Sequence, residues 1–345
     1  MRHIRNAGPP QRNIMALPPL APFPAGRPRR LRATPWVRSL VQEHRLSASD
    51  LIWAMIVHDG EGLDPVKAMP GVARHSVAEA AKAAARAADL GIPAIAIFPH
   101  VAEAKKDNGG SEALNPDGVV PRTVAAMKAA APGVGIMVDV ALDPFTDHGH
   151  DGILRDGRIL NDETVARLCD QAALLARAGA DVIAPSDMMD GRIGAIRARL
   201  ESDRFADVMI MSYAAKYASA FYGPYREAIG VKRLDGDKKT YQMDPANTDE
   251  ALRECGLDVG EGADMLLIKP GLPYLDIIRR VKESFALPTF AFQVSGEYAM
   301  IKAAAANGWL DERRAMLETL TAFKRAGADG VITYFAEAAA EALRG

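Results

Sequence analysis

The chain has 345 residues, 49% of them hydrophobic, and a formal net charge of -2. That length and apolar content fill one large core or two small ones, and the near balance of charge argues against a chain-wide nucleic-acid surface or an acidic solvating tail. Cys169 and Cys255 are the only cysteines and lie far apart, which argues against a disulfide framework or a thiolate zinc site; with neither a run of 18 apolar residues nor an apolar signal core, no membrane span is expected and a cytoplasmic protein is.

Residues 1–35 hold seven arginines and eight prolines, and the first acidic residue is Glu43. Proline fixes φ and removes a backbone donor, so regular structure is not expected there. A flexible tail and an arm lying on a neighbouring subunit stay open as readings. Nucleic-acid contact is disfavoured because no aromatic residues interleave with the arginines. A transit peptide is disfavoured by the proline density. The division expected is an arm over 1–35 and one catalytic domain over 36–345.

From Leu51 onward, short apolar runs alternate with alanine-rich segments of helical period. Eight runs read as strands: 51–58, 92–99, 135–142, 181–186, 208–216, 264–270, 288–295 and 330–335. Most are apolar on both faces, as parallel strands covered on both sides must be. Between them, 76–90, 162–178, 273–285 and 312–326 read as helices. Ser76 and Glu79 have capping-box spacing. A short motif recurs as Ala178-Gly-Ala-Asp181, Glu261-Gly-Ala-Asp264 and Ala326-Gly-Ala-Asp329, each closing a helix with glycine and opening a strand. Leu90-Gly91-Ile92-Pro93 takes the same place before the second run. Eight such alternations predict an α/β fold, a closed (β/α)8 TIM barrel with an extended N-terminal arm. An open doubly wound sheet is disfavoured, because no G-x-G-x-x-G follows the first run.

Catalytic groups of such a barrel gather at the C-terminal ends of its strands. The runs end in Asp139 and Asp143 (with Asp151 after a His148-Gly149-His150 turn), in Ser186-Asp187, in Lys216, in Lys269, in Ser295 and in Tyr334. Lys269 closes an apolar strand. Burial there would lower its pKa and give the neutral amine that imine formation needs, unless the side chain snorkels outward. Lys216 ends the neighbouring strand, and two ammonium groups close together depress each other further. The three aspartates suit a hard cation or a proton-transfer network, and the two histidines would permit zinc or manganese; a solvated acidic loop is the bland alternative. The long stretch from Tyr222 to Gln242 reads equally as a lid, with Arg226 and Lys238 facing a substrate carboxylate, or as a charged loop.

Five motifs then carry a resemblance. Ser212-Tyr-Ala-Ala-Lys-Tyr-Ala-Ser-Ala-Phe-Tyr-Gly-Pro-Tyr-Arg226, Met265-Leu-Leu-Ile-Lys-Pro-Gly-Leu-Pro-Tyr-Leu-Asp276 and Phe292-Gln-Val-Ser-Gly-Glu-Tyr298 resemble the signatures of the porphobilinogen synthase (5-aminolevulinate dehydratase) family. The segments Asp139–Gly152 and Ala184–Gly191 agree with it, and the resemblance spans about residues 30–343. It implies the condensation of two 5-aminolevulinate molecules to porphobilinogen with loss of two waters, a hydro-lyase step in tetrapyrrole biosynthesis. Lys269 matches the lysine that holds the P-side substrate, and Lys216 the A-side one. Ser295 and Tyr334 match the P-side carboxylate ligands; Arg226, Lys238 and Gln242 match the A-side ones on a mobile lid.

The resemblance also carries a departure. Zinc-dependent members have cysteines where this chain has Ala141, Asp143 and Asp151, so no zinc is expected. It implies instead an aspartate-rich subtype in which Asp139, Asp143 and Asp151 position the A-side amine, with magnesium, with a monovalent cation, or with no metal. Glu254 matches a glutamate at a remote allosteric magnesium site. The arm then implies a homo-oligomer, octamer or hexamer. Two other functions fit the sequence less well. A class I aldolase for a phosphorylated sugar lacks the glycine-rich phosphate site that Ala336-Glu337-Ala338 would have to supply. A catalytically silent barrel does not account for both lysines and the aspartates.

Overall fold

The computed structural model describes residues 21–231 and 234–344; the start of the expected arm lies outside the described residues. The chain divides into two compact units, Met1–Glu43 and His44–Gly345. In the first, a 3-10 turn at Pro28–Arg32 leads to a short helix at Pro35–Leu40, which starts on a proline at its first position. The division therefore falls after that helix. Phe23, Leu31, Trp36 and Leu40 of this unit are exposed.

In the second unit all eight apolar runs are strands: β1 (Leu51–His58), β2 (Ala94–His100), β3 (Gly135–Val140), β4 (Val182–Pro185), β5 (Met209–Lys216), β6 (Met265–Lys269), β7 (Thr289–Gln293) and β8 (Gly330–Thr333). Each pairs in parallel with the next, and β8 closes on β1 through Leu51↔Val331, Ile52↔Ile332 and Trp53↔Thr333. The helices that cover the barrel are α1 (Val77–Leu90), α2 (Val119–Ala130), α3 (Asn161–Arg177), α4 (Arg192–Ser202), α5 (Asp249–Gly260), α6 (Leu275–Phe285), α7 (Ser295–Ala306), α8 (Glu312–Ala326) and α9 (Ala336–Arg344). Residues of β1 from Leu51 to Val57 are all buried, which is why its sequence shows no polar alternation.

The recurring glycine–alanine–aspartate motif has one structural meaning in all three copies. Gly179, Gly262 and Gly327 have φ near +100, at 104, 100 and 110, a conformation that favours glycine. The aspartate two residues on accepts a hydrogen bond from the start of the preceding strand, at 2.7 Å in each case: Asp181 from Ile136 N–H, Asp264 from Ile210 N–H and Asp329 from Thr289 N–H. Each carboxylate also pairs with a cation from the helix before that strand: Lys128 of α2, Arg197 of α4 and Lys282 of α6. The same cations bond the carbonyls of Pro132, Val208 and Leu287 in the helix–strand loops. The base of the barrel is thus stitched three times in the same way.

Two local expectations change. Ser76 accepts a hydrogen bond from Glu79 N–H at 3.3 Å, but the reciprocal half of the capping box is not made. Ser76 N–H donates to the Gly62 carbonyl, and Glu79 pairs with Lys82. Two small antiparallel pairs were not signalled by the sequence: Leu63–Pro65 with Ala73–His75, and Leu154–Arg155 with Arg158–Ile159. Their strands are short and mostly exposed or half-buried, so they lack an apolar run. Among the described residues, no helix is long and apolar enough to cross a membrane.

Candidate active site

Lys216 and Lys269 are the last residues of β5 and β6, and the strand register pairs them directly. Both are buried. They border a cavity of about 240 Å³ at the C-terminal mouth, with Asp139, Asp143, Arg226, Lys238 and Gln242 around it. These seven residues, all singled out from the sequence, therefore meet in one place, drawn from β3 and the turn after it, β5, β6 and the segment between β5 and α5.

The two lysines live in different surroundings. The Lys269 ammonium stands over four rings, at 4.8 Å from the Phe292 centroid, 5.1 Å from Tyr213, 5.2 Å from Tyr225 and 5.4 Å from Tyr222. Ring faces attract a cation, yet they replace the hydration of an ammonium poorly. Burial, aided by the nearby Lys216 charge, lowers Lys269 from 10.5 to about 8. The Lys216 ammonium instead donates to Asp151 at 2.9 Å and to the Ser186 carbonyl.

The carboxylates also divide. Asp151 is fully buried and takes Lys216, Lys238 at 2.7 Å and the Tyr241 hydroxyl at 2.9 Å. Burial would raise its pKa, but Lys216 and Lys238 outweigh burial and hold it below the ordinary carboxylate range. Asp143 pairs with Lys238 at 3.2 Å. Asp139 has one carboxyl oxygen buried with no hydrogen-bond partner. Burial, opposed by Lys269 and reinforced by Asp143, pushes it up to about 7. As the sequence suggested, the chain folds back after the histidine turn, with Leu142 N–H on the Asp151 carbonyl at 3.1 Å.

Lys238 reaches this centre from the long β5–α5 connection. Although burial opposes it, Asp143 and Asp151 raise its pKa. The same connection carries a short helix, Gly223–Ala228, with Arg226 on the cavity. Ser295 does not line the cavity. Its hydroxyl accepts the Tyr225 N–H at 2.9 Å and reaches the Phe221 carbonyl at 3.4 Å. Tyr334 lies behind Phe292, with ring centroids 6.1 Å apart, and its buried hydroxyl is unpartnered. Burial raises that phenol well above its usual value.

Glu254 stands apart. It lines a second cleft with Glu250 and Asp190, and burial raises its half-buried carboxyl. The histidines offered as metal ligands are already engaged. His148 accepts from His150 N–H and bonds the Asn108 carbonyl; His150 bonds the Tyr241 hydroxyl and the Asp235 carbonyl. Cys169 lies on α3 and Cys255 on α5. Among the described residues, no three acids, histidines or cysteines are grouped to hold a metal.

Sequence reasoning missed the aromatic cage, although Tyr213, Tyr222, Tyr225 and Phe292 all lie inside the motifs quoted above. Their signal was the density of aromatics around two strand ends. It missed Tyr241 and Glu297 as well. Glu297 is fully buried and accepts from Val294, Leu272 and Gly271 N–H groups. One carboxylate thus ties the turn after Lys269 to the end of β7.

A family model described as delta-aminolevulinic acid dehydratase matches residues 25–342. The delta-aminolevulinic acid dehydratase of Bradyrhizobium diazoefficiens is 61% identical over 320 residues, covering 92% of this chain and 91% of that protein. That of Rhodobacter capsulatus is 54% identical, covering 93% and 98%. The crystal structure of the Toxoplasma gondii delta-aminolevulinic acid dehydratase (porphobilinogen synthase), in complex with the reaction product porphobilinogen, superposes with a TM-score of 0.90. It is 50% identical and covers 92% of this chain and 91% of that one.

Proposed function

The chain belongs to the delta-aminolevulinic acid dehydratase family, and from that membership we propose how its mouth carries out the reaction. The protein is a hydro-lyase that condenses two 5-aminolevulinate molecules to porphobilinogen, with loss of two waters, in tetrapyrrole biosynthesis. The observation that carries the assignment of roles is the contrast between the two paired lysines.

Lys269 is the nucleophile for the P-side substrate. With a pKa of about 8, roughly a tenth of it is neutral at pH 7, against about one part in three thousand at its ordinary value. The free amine adds to the substrate ketone, and the carbinolamine loses water to give an imine. The iminium then acidifies the adjacent carbon, which allows carbon–carbon bond formation near neutral pH. Asp139, held up near 7 beside Lys269, can give and take the protons of these steps. Lys216, bonded to Asp151 and to the Ser186 carbonyl, must release a proton before it forms the A-side imine. Asp139, whose carboxyl is held up while that of Asp151 is held down, is the better-suited acceptor for that proton.

Carboxylate recognition follows the same division. Arg226 and Gln242 present donors from the lid to the A-side carboxylate. Lys238 has three donors and places two on Asp143 and Asp151, which leaves one for the substrate. On the P side, the Tyr334 hydroxyl lacks a partner. The Ser295 hydroxyl proton has only the long contact to Phe221 to give up.

We assign the chain to the zinc-free, aspartate-rich subtype. The positions matching the zinc ligands hold Ala141, Asp143 and Asp151, and the two cysteines lie on α3 and α5. Asp143 and Asp151 are neutralised by Lys216 and Lys238, so a hard cation such as magnesium or a monovalent ion would have to displace Lys238. Activity that survives chelation unchanged supports a lysine-balanced, metal-independent site; activity lost and restored by magnesium overturns it. A magnesium at Glu254 is a separate proposal, tested by magnesium titration of Glu254→Gln. The arm over 1–35 is proposed to pack on a neighbouring subunit in a homo-oligomer, octamer or hexamer. Phe23 and Leu31, with Trp36 and Leu40 just beyond it, are exposed for such a contact. A cytoplasmic location is proposed with it.

The decisive experiment is borohydride reduction in the presence of 5-aminolevulinate, followed by peptide mass mapping. An adduct on Lys269 is expected. Its absence sinks the imine mechanism.

A further inference from the structure

The lid helix Gly223–Ala228 is held at its far end by two cations from the opposite side of the mouth. Arg74 Nε donates to the Ala228 carbonyl at 2.7 Å, and its Nη2 to the Glu227 carbonyl at 2.9 Å. Lys106 Nζ donates to the Gly230 carbonyl at 2.8 Å. Glu227 and Ala228 close the helix and Gly230 lies two residues past it, where helical N–H partners run out; of the three carbonyls, that of Glu227 also takes the Gly230 N–H at 3.1 Å. The side chains of Arg74 and Lys106 are only 12% and 2% exposed, so water competes weakly for the bonds.

Both cations are rigidly mounted. Arg74 sits on the strand Ala73–His75, which extends the sheet alongside β1 through Ile56↔Arg74. Asp64, its antiparallel partner, holds the remaining guanidinium nitrogen. Val66 and Met69 anchor the same hairpin in the core, and Tyr298 bonds its Pro70 carbonyl at 2.7 Å. Lys106 follows β2. Between them the His100 ring lies against Gly230, whose φ is +71; a Cβ there would come within 2.8 Å of the imidazole. The fit leaves no room for a side chain at that point.

We propose that Arg74 and Lys106 are positioning residues for the condensation: they latch the end of the lid helix and so fix Arg226 over the paired lysines. The inference rests on the lid assignment made above. Neither side chain lines the cavity, so neither is expected to touch substrate. The latch raises the fraction of molecules whose lid is closed before substrate arrives. Loss of that fraction weakens apparent affinity in proportion, while saturating substrate still closes the lid.

The test uses the full chain with Arg74→Met, Lys106→Met and Arg74→Lys. For the two methionine variants, KM for 5-aminolevulinate is expected to rise about tenfold, or ~1.4 kcal/mol, with kcat kept within about threefold. Arg74→Lys, which can keep one of the two carbonyl bonds, is expected to fall between. Trypsin cleavage after Arg226 should speed up in the variants and return to the wild-type rate with 4-oxopentanoate, a substrate analogue lacking the amine. Lys106→Met leaves Arg74 and its hairpin bonds intact, so it keeps the test alive if Arg74→Met folds poorly. An unchanged KM, or a fall in kcat at constant KM, overturns the latch. Borohydride trapping of wild-type Lys269 runs alongside. An adduct with unchanged variant KM overturns the latch alone, whereas no wild-type adduct overturns the reading on which it rests.

Discussion

The two ends of the barrel handle charge in opposite ways. At the N-terminal ends of the strands, Asp181, Asp264 and Asp329 each meet one backbone N–H and one cation, and each cation meets a loop carbonyl. Those groups are satisfied by local partners and remain partly in contact with water. At the C-terminal ends, Lys269 lies among aromatic faces, one oxygen of Asp139 has no partner, and the Tyr334 hydroxyl has none. These groups are buried without complete satisfaction, which is costly in a resting protein. The same strands thus carry stability at one end and reactivity at the other.

Four substitutions or titrations test that contrast. The largest expected effect is for Lys269→Ala: turnover falls by at least about three orders of magnitude. Its melting midpoint should hold or rise, because a desolvated cation is removed. A matching loss of thermal stability would break the contrast. Next comes pH. Lys269 titrates near 8 in the folded chain and at 10.5 when unfolded, so between those values the unfolded chain binds the extra proton. The penalty for burying it is full below pH 8 and gone above 10.5. Urea unfolding should therefore show wild type gaining stability relative to Lys269→Met across that window, and kcat/KM should rise with a limb near pH 8. A flat difference would mean that the amine is solvated.

Tyr334→Phe is a smaller and sharper test. Removing an unpartnered buried hydroxyl should leave the free protein as stable, or more stable by about 1 kcal/mol. KM should rise about tenfold. Denaturation and kinetics on one preparation measure both, and a destabilised variant with normal KM would reverse the assignment. The smallest effect is expected at the other end. Asp264→Asn keeps an acceptor for Ile210 N–H and loses only a partly exposed ion pair, so stability should drop by roughly 0.5–1 kcal/mol, with kcat within twofold.

The sequence already located every barrel strand, because a parallel strand buried on both faces has to be an apolar run. It located both lysines, because a charge at the end of such a run has few structural reasons to be there. Partners were harder to read. Lys238 sits between Asp143 and Asp151 although 95 residues separate it from Asp143, and no local pattern records that meeting. Ser295 matched a substrate ligand by motif, yet its hydroxyl is taken up by the lid backbone at Tyr225. The Leu63–Pro65 and Ala73–His75 strands escaped notice because they bury little, although Arg74 on one of them grips the lid.

The threefold stitch at the base also bears on how the barrel is assembled. In each copy the cation and the carboxylate are 53, 67 or 47 residues apart, so a unit of helix, strand, helix and strand can lock its own base before the ring closes. Pro93 occupies the aspartate's place ahead of β2, and the first quarter is tied instead to the last one, by Lys324 of α8 on Asp50 at 2.9 Å. The barrel is therefore three self-fastening quarters and one that relies on its neighbours. Amide hydrogen exchange should register this as long-lived protons at Ile136, Ile210 and Thr289 and earlier exchange along the β1 seam.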